Sequence, residues 1–133
     1  MRSEVVELDM ASRRFADITG DVESFVAGGG DGLVNVFLPH ATAGVALIET
    51  GSGTESDLEE ALSRLLPRDD RWAHRHGSPG HGADHVLPAF VAPSLSIPVV
   101  DGRLQLGTWQ SIVVVDTNRD NPHRKVRLSF VAS

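Results

Sequence analysis

The chain has 133 residues, a formal charge of -6, a pI near 5.4 and no cysteine. That length carries one core and not two, so a single domain spanning 1–133 is expected; an acidic surface disfavours nucleic acid or an anionic membrane as partner, because both would be repelled. Without cysteine there is no disulfide or thiolate chemistry, any metal must sit on His, Asp or Glu, and with neither a signal-like leader nor a run of about 18 apolar residues the chain reads as cytoplasmic.

In chain order, Ser3 to Met10 alternates Val6, Leu8 and Met10 with Val5, Glu7 and Asp9, which predicts a half-buried outer strand. Val22, Phe25 and Val26 are spaced three and four apart between Thr19, placed as a cap, and Gly28 to Gly30, which predicts a short helix. Asp31-Gly32 marks a turn. Leu33 to Leu38 then reads as a strand buried on both faces at the centre of a sheet. Pro39 to Gly44 breaks that run, Val45 to Ile48 resumes it, and His40 and Glu49 bracket the second strand. Leu58, Ala61, Leu62, Leu65 and Leu66 form one stripe of a helix over Glu55 to Leu66, with Ser56 and Glu59 as a capping box and Pro67 as its stop. The charges of that helix belong to a solvated face.

Between Trp72 and His85 the pattern breaks down. His74, His76, His81 and His85, four of the six histidines, fall within twelve residues that also hold Gly77, Pro79, Gly80 and Gly82. Such a loop cannot be regular, and its internal position argues against a tag remnant. Histidine titrates near neutrality and is the commonest metal ligand, so proton transfer and metal binding both stand as readings of the cluster, beside a merely solvated polar loop. A helix continuing past Pro88 tolerates the proline only in its first turn, so it would begin near Asp84, with His85 at its N-terminus among free N–H groups suited to an anion.

The last third alternates as strands. Leu95, Ile97 and Val99 lead into Asp101-Gly102, a two-residue hairpin signal, and Leu104 and Leu106 return, with Gly107 as a possible bulge. Ile112 to Val115 reads as a buried strand and Arg124 to Val131 as a final one. Arg124 shares a face with Val126, Leu128 and Phe130, so it points inward and needs an anionic partner, either a carboxylate of the chain or a bound ligand. No Gly-x-Gly-x-x-Gly, P-loop or Gly-x-Ser-x-Gly motif is present. The chemistry falls to His, Glu and Arg.

His40-Ala41-Thr42-Ala43-Gly44, Glu49 after a strand, Trp72-Ala73-His74, His85, Ser96-Ile97-Pro98-Val99, Asp101-Gly102-Arg103-Leu104 and Leu106-Gly107-Thr108-Trp109-Gln110 resemble, in order and spacing, the YjbQ-like family, also called secondary thiamine-phosphate synthases. The resemblance runs from about Gly32 to Val131. It implies an α+β fold, a β-sandwich of about seven strands with two main helices, assembled as a homotrimer. It also implies site roles for His40, Glu49, His74, His85, Thr108, Trp109, Gln110 and Arg124. The chain departs from the family pattern at Ile48, at His123 where an arginine commonly follows the proline, and at Leu87 or Pro88 where a lysine is common; each departure removes a polar or cationic group.

The reaction implied by the resemblance joins a pyrimidine-methyl diphosphate to a thiazole phosphate and releases diphosphate. It asks for positioning and charge neutralisation. On this reading Arg124, His123 and the N–H groups near His85 hold phosphate, His40 and Glu49 serve catalysis, and Trp109 between Thr108 and Gln110 lines a pocket as a platform for a flat ring. A divalent metal, zinc or magnesium, is the expected cofactor and a small phosphorylated or anionic molecule the expected substrate. The alternatives are a metal-dependent hydrolase or lyase with His40, His74 and His85 as ligands and Glu49 activating water, and a non-catalytic small-ligand-binding trimer. For the site itself, His40, His74 and His85 are expected to converge with Glu49 nearby, leaving His76 and His81 as a spare pair. The trimer is expected because Ile112 to Val115 offers more apolar edge than one subunit can cover.

Overall fold

The computed structural model describes residues 1–133. Eight strands, three α-helices and one 3₁₀ turn succeed one another as β1 (Arg2–Asp9), β2 (Phe15–Asp17), α1 (Thr19–Val26), β3 (Gly32–Phe37), β4 (Ala43–Ile48), α2 (Thr54–Leu65), α3 (His81–Val86), the turn Leu87–Ala89, β5 (Ser94–Val100), β6 (Arg103–Leu104), β7 (Ser111–Asp116) and β8 (His123–Ala132). They build two antiparallel sheets, one in the order β1-β8-β3-β5-β6 and the other β2-β7-β4. The architecture is the expected α+β sandwich, with eight strands rather than about seven and a third helix.

The strands explain themselves by alternation. Val34 and Val36 of β3, Ile97 and Val99 of β5, and Val126, Leu128 and Phe130 of β8 all turn inward, where they meet Ala43 and Val45 of β4 and Ile112 and Val114 of β7. Each fully buried aliphatic side chain of this kind is worth roughly 1.5–3 kcal/mol, so this core carries the fold and leaves the loops free to be polar. The other face of the small sheet is covered by α2 and α3, with Val115 packed among Leu62, Leu66, Ala83 and Leu87. Helix α3 is thereby seated against the Asp116 end of β7. Backbone approach is close here: a Cβ on Gly44 would stand 1.9 Å from the carbonyl oxygen of Val91, so only glycine fits where Val45 N–H reaches Ala92 O at 2.8 Å.

Several local expectations change. β3 is central in its sheet but buried on one face only, because Leu33 and Phe37 remain exposed on the other. β7 is not an apolar edge: it lies between β2 and β4 with Ile112 to Val115 buried inside the subunit, so it supplies no surface for a trimer. The Thr19 hydroxyl does not cap α1 but accepts the Ile112 N–H at 2.8 Å, and α2 starts at Thr54 behind Gly53, with the Glu55 carboxylate accepting the Gly51 N–H. The Asp101-Gly102 hairpin forms as predicted, both residues having positive φ. Gly107 sits in a turn, donating its N–H to Gln110 Oε1. No helix is long and apolar enough to cross a membrane.

Candidate functional site

Helix α3 begins at His81, not near Asp84, because Pro88 is accommodated in the separate 3₁₀ turn that follows. His81 and His85 therefore stand one turn apart on the same face of one short helix. His85 is in its last turn, so the free N–H groups expected beside it are absent, and the C-terminal end of the dipole faces it instead. The loop before the helix folds back over that face. Gly77 and Gly80 supply the positive φ the reversal needs, and Gly82 lets the backbone pass so closely that a Cβ there would lie 2.6 Å from the His74 carbonyl oxygen. Trp72 anchors the start of the loop, donating its indole N–H to Pro67 O at 2.9 Å, and Asp120 anchors its middle by accepting the Ser78 N–H at 3.1 Å.

The result is one constellation of four imidazoles. His74, His76, His81 and His85 bring one ring nitrogen each to within 4.8 Å of one another. His81 and His85 face through their Nε2 atoms at 3.0 Å, and His74 and His76 are in direct Nε2 contact. His74 stacks on His85 with centroids 3.9 Å apart. Zinc bonds of 2.0–2.1 Å in a tetrahedron place donor atoms about 3.3–3.4 Å apart, a spacing the 3.0 Å between His81 and His85 approaches and the rest of the cluster would reach by small side-chain shifts. An all-imidazole set suits zinc and its neighbours, whereas magnesium takes oxygen ligands; of the two metals expected, only zinc fits. The cluster opens on a cleft of about 270 Å³ that has Arg75 on its wall.

Behind the imidazoles lies a carboxylate shell. His81 Nδ1 is 3.3 Å from Asp84 Oδ2 and 3.1 Å from Asp120 Oδ2, and Asp84 is wholly buried. His81 Nδ1 and Asp84 Oδ2 both lack a hydrogen bond of regular geometry, and Nδ1 stands between the two carboxylates, where a proton on it would leave Nε2 for the cluster centre. The second oxygen of Asp84 accepts from Arg68 and, at 2.7 Å, from the Thr117 hydroxyl. Desolvation, followed by repulsion from the neighbouring imidazoles, lowers the pKa of His74 and His85, which favours their neutral form, the one that binds metal. Asp120 is held below the usual carboxylate range, chiefly by the Ser78 N–H.

The expected triad of His40, His74 and His85 divides. His74 and His85 meet, but His40 lies outside the cluster, its Nε2 lone pair engaged by the Lys125 N–H at 2.9 Å. Burial first, and the Arg124 guanidinium second, lower its pKa. Its neighbours are His123, Asn121 and Lys125, around an open cleft of about 480 Å³. Glu49 is at the other end of β4, where its carboxylate accepts from the Ser52 hydroxyl at 3.4 Å, so within one chain it serves neither group of histidines. Arg124 points inward as its strand position predicts, and its anionic partner is the chain's own Asp116 at 2.5 Å, with Thr42 at 3.0 Å; these take its Nε and Nη2, while the residue also borders the cleft beside His40. Trp109 is 72% exposed on the turn before β7 and lines no cavity, while Thr108 and Gln110 border a shallow cleft with Gly102 and Leu104. His76 and His81, set aside as spare, belong to the cluster, and Asp84 and Asp120 were not foreseen at all. The signal that could have found His81 is its i, i+4 spacing to His85.

The chain has relatives. A family model described as UPF0047 protein YjbQ-like matches residues 4–133. Over 131 residues the chain is 63% identical to UPF0047 protein Rv2556c of Mycobacterium tuberculosis, covering 98% of each. Its fold superposes on the crystal structure of hypothetical protein APE1520 from Aeropyrum pernix K1 with a TM-score of 0.88, at 33% identity and complete coverage of both chains. A YbjQ-like protein of unknown function from Sulfolobus solfataricus P2 shares the fold, with a TM-score of 0.90 at 22% identity over 99% of this chain and 97% of that one.

Proposed function

The chain belongs to the YjbQ-like UPF0047 family, and from that premise we propose that it is a metal-dependent enzyme, a hydrolase or lyase acting on a small anionic molecule at the four-histidine centre. The observation that carries this reading is the meeting of His74, His76, His81 and His85 within 4.8 Å, backed by buried Asp84. His81 and His85 are fixed by α3, whereas His74 and His76 come from the exposed loop before it, His74 stacking on His85. Two donors on a helix and two on an exposed loop leave room for a loop imidazole to yield its place to water or substrate, as the open site of catalytic zinc requires and the closed site of structural zinc does not. Zinc bound there would supply Lewis acidity, polarising an oxygen of substrate or water. Asp84 and Asp120 orient His81, and Arg75, which shares the cleft wall with Asp70 and with an Asp69 already paired to Arg71, would hold negative charge on the substrate. The test is turnover of small phosphate and carboxylate esters by chelator-treated protein before and after zinc is restored. Activity that ignores the chelator would overturn the reading.

A second reading is the joining of a pyrimidine-methyl diphosphate to a thiazole phosphate. What favours it is the cleft beside His40 and His123, where Arg124 and Lys125 outweigh Glu7 by one positive charge, which suits a phosphate group. We place it second because the charge of Arg124, the strongest phosphate ligand expected, is balanced by Asp116, which takes its Nε and Nη2. Turnover of the two thiamine precursors tests it directly. For the homotrimer, support comes from the outer face of the five-stranded sheet, where Val5, Leu33, Phe37, Val100 and Val131 are all exposed on one side. A patch of that kind marks an interface between subunits.

A further inference from the structure

Arginine is concentrated on one cleft of this acidic chain. Arg14, Arg68 and Arg119 line a hollow between α2 and the turn after β7, on the far side of Asp84 from the imidazoles. Arg14 is paired with Glu59 at 2.6 Å and Arg68 with Asp84, but the Arg119 side chain makes neither an ion pair nor a hydrogen bond. Three guanidinium groups thus face two carboxylates and leave one positive charge in excess, on a molecule whose net charge is -6. The floor is apolar, built by Phe15, Leu62 and Leu66. The same rim continues into a second hollow bordered by Arg13, Arg14 and Arg119, whose carboxylate, Asp116, is already taken by Arg124.

We propose that this cleft is a binding site for a small organic anion, a phosphate or carboxylate attached to an apolar body of about one ring, separate from the histidine centre. The size follows from the volume. The cleft measures about 190 Å³, and an apolar cavity of roughly 150 Å³ is enough for a benzene ring. The head group follows from the donors: a guanidinium without a partner presents paired N–H groups that match the two oxygens of a carboxylate or phosphate. No imidazole lines the cleft and Asp84, its wall toward the histidines, is wholly buried, so the ligand here is held without touching the cluster. The proposal therefore stands whether or not the centre binds metal.

The test uses the full chain after chelator treatment, with phenyl phosphate and benzoate as probes and calorimetric titration as the measurement. Saturable 1:1 binding of at least one probe is expected, and its absence at millimolar concentration would overturn the site. Preference between the two distinguishes a phosphate from a carboxylate head. Inorganic phosphate and benzyl alcohol should each bind much more weakly than the better probe; benzyl alcohol binding as well as that probe would mean that the arginines contribute nothing. Arg119→Ala should weaken the better probe by about tenfold or more, the loss of a hydrogen bond to a charged group. Because Arg119 is exposed on a turn, its removal leaves the core untouched. Ser63→Phe keeps every charge and fills the hollow from the exposed side of α2. It should abolish binding, and unchanged affinity in either variant would contradict the assignment.

Discussion

His81 turns its Nδ1 toward the buried carboxylate of Asp84, 3.3 Å away, while its Nε2 faces the Nε2 of His85 at 3.0 Å. The two ring nitrogens thus have different tasks, one fixed by the carboxylate and one left for the cluster. Asp84→Asn preserves shape and removes the charge that orients His81. It should weaken zinc binding by about 10- to 100-fold, the usual effect of losing an outer-shell partner of a metal-bound histidine. Competition against a chromogenic chelator measures this, and an unchanged affinity would show that Asp120, 3.1 Å from the same nitrogen, orients His81 without Asp84.

The titration of the cluster predicts how metal-free protein responds to acid. His74, His85 and His40 all have pKa values lowered in the folded chain, so the unfolded chain binds protons more readily on each of them. Stability should be intact above the unfolded histidine value of about 6.5 and decline as pH falls from there through the lowered folded values. Thermal melts between pH 8 and pH 5 check the sign. Saturating zinc should raise the melting temperature most at the upper end, because protons compete for the same nitrogens.

Arg124 and Asp116 give a stability prediction that is independent of function. Their side chains are 4% and 1% exposed, so cutting Asp116 to alanine leaves a buried guanidinium without its counter-ion. The expected cost is about 3–5 kcal/mol, read from denaturant unfolding. Zinc affinity of the folded fraction should be unchanged. A loss below about 1 kcal/mol would mean that Arg124 finds water or another partner.

Self-association should depend on the outer sheet face and not on β7. Leu33→Asp with Phe37→Asp places two charges in the exposed apolar patch while leaving the inward-facing Val34 and Val36 alone. Light scattering should report a trimer for the parent chain and a monomer for the double variant. A parent monomer would remove the interface reading.

Much of the fold was legible because period-two alternation is a direct record of which face meets the core. β1, β5, β7 and β8 fall where Val6 and Leu8, Ile97 and Val99, Ile112 to Val115, and Val126 to Phe130 placed them. β2 escaped because Phe15–Asp17 is too short to show a period, and β3 looked doubly buried because Leu33 and Phe37 are apolar residues on an outward face. The site was half legible. Composition exposes the histidine loop, but which histidines meet depends on where α3 starts, and a helix drawn through Pro88 starts too late because that proline belongs to a separate turn. Asp84 stands at i, i+3 to His81 and becomes legible only once α3 is known to start at His81, whereas Asp120 comes from the loop before β8 and reaches His81 by tertiary packing alone.

The central claim is that His74, His76, His81 and His85, without His40, form one metal centre. Zinc stoichiometry by elemental mass spectrometry after loading and desalting tests it most directly, on the parent chain, on His81→Ala with His85→Ala, and on His40→Ala. The account predicts one zinc per chain in the parent and in His40→Ala, and none retained in the double variant, with circular dichroism showing all three folded. Folded protein that retains a full equivalent of zinc without His81 and His85, or that loses it with His40 alone, would contradict it.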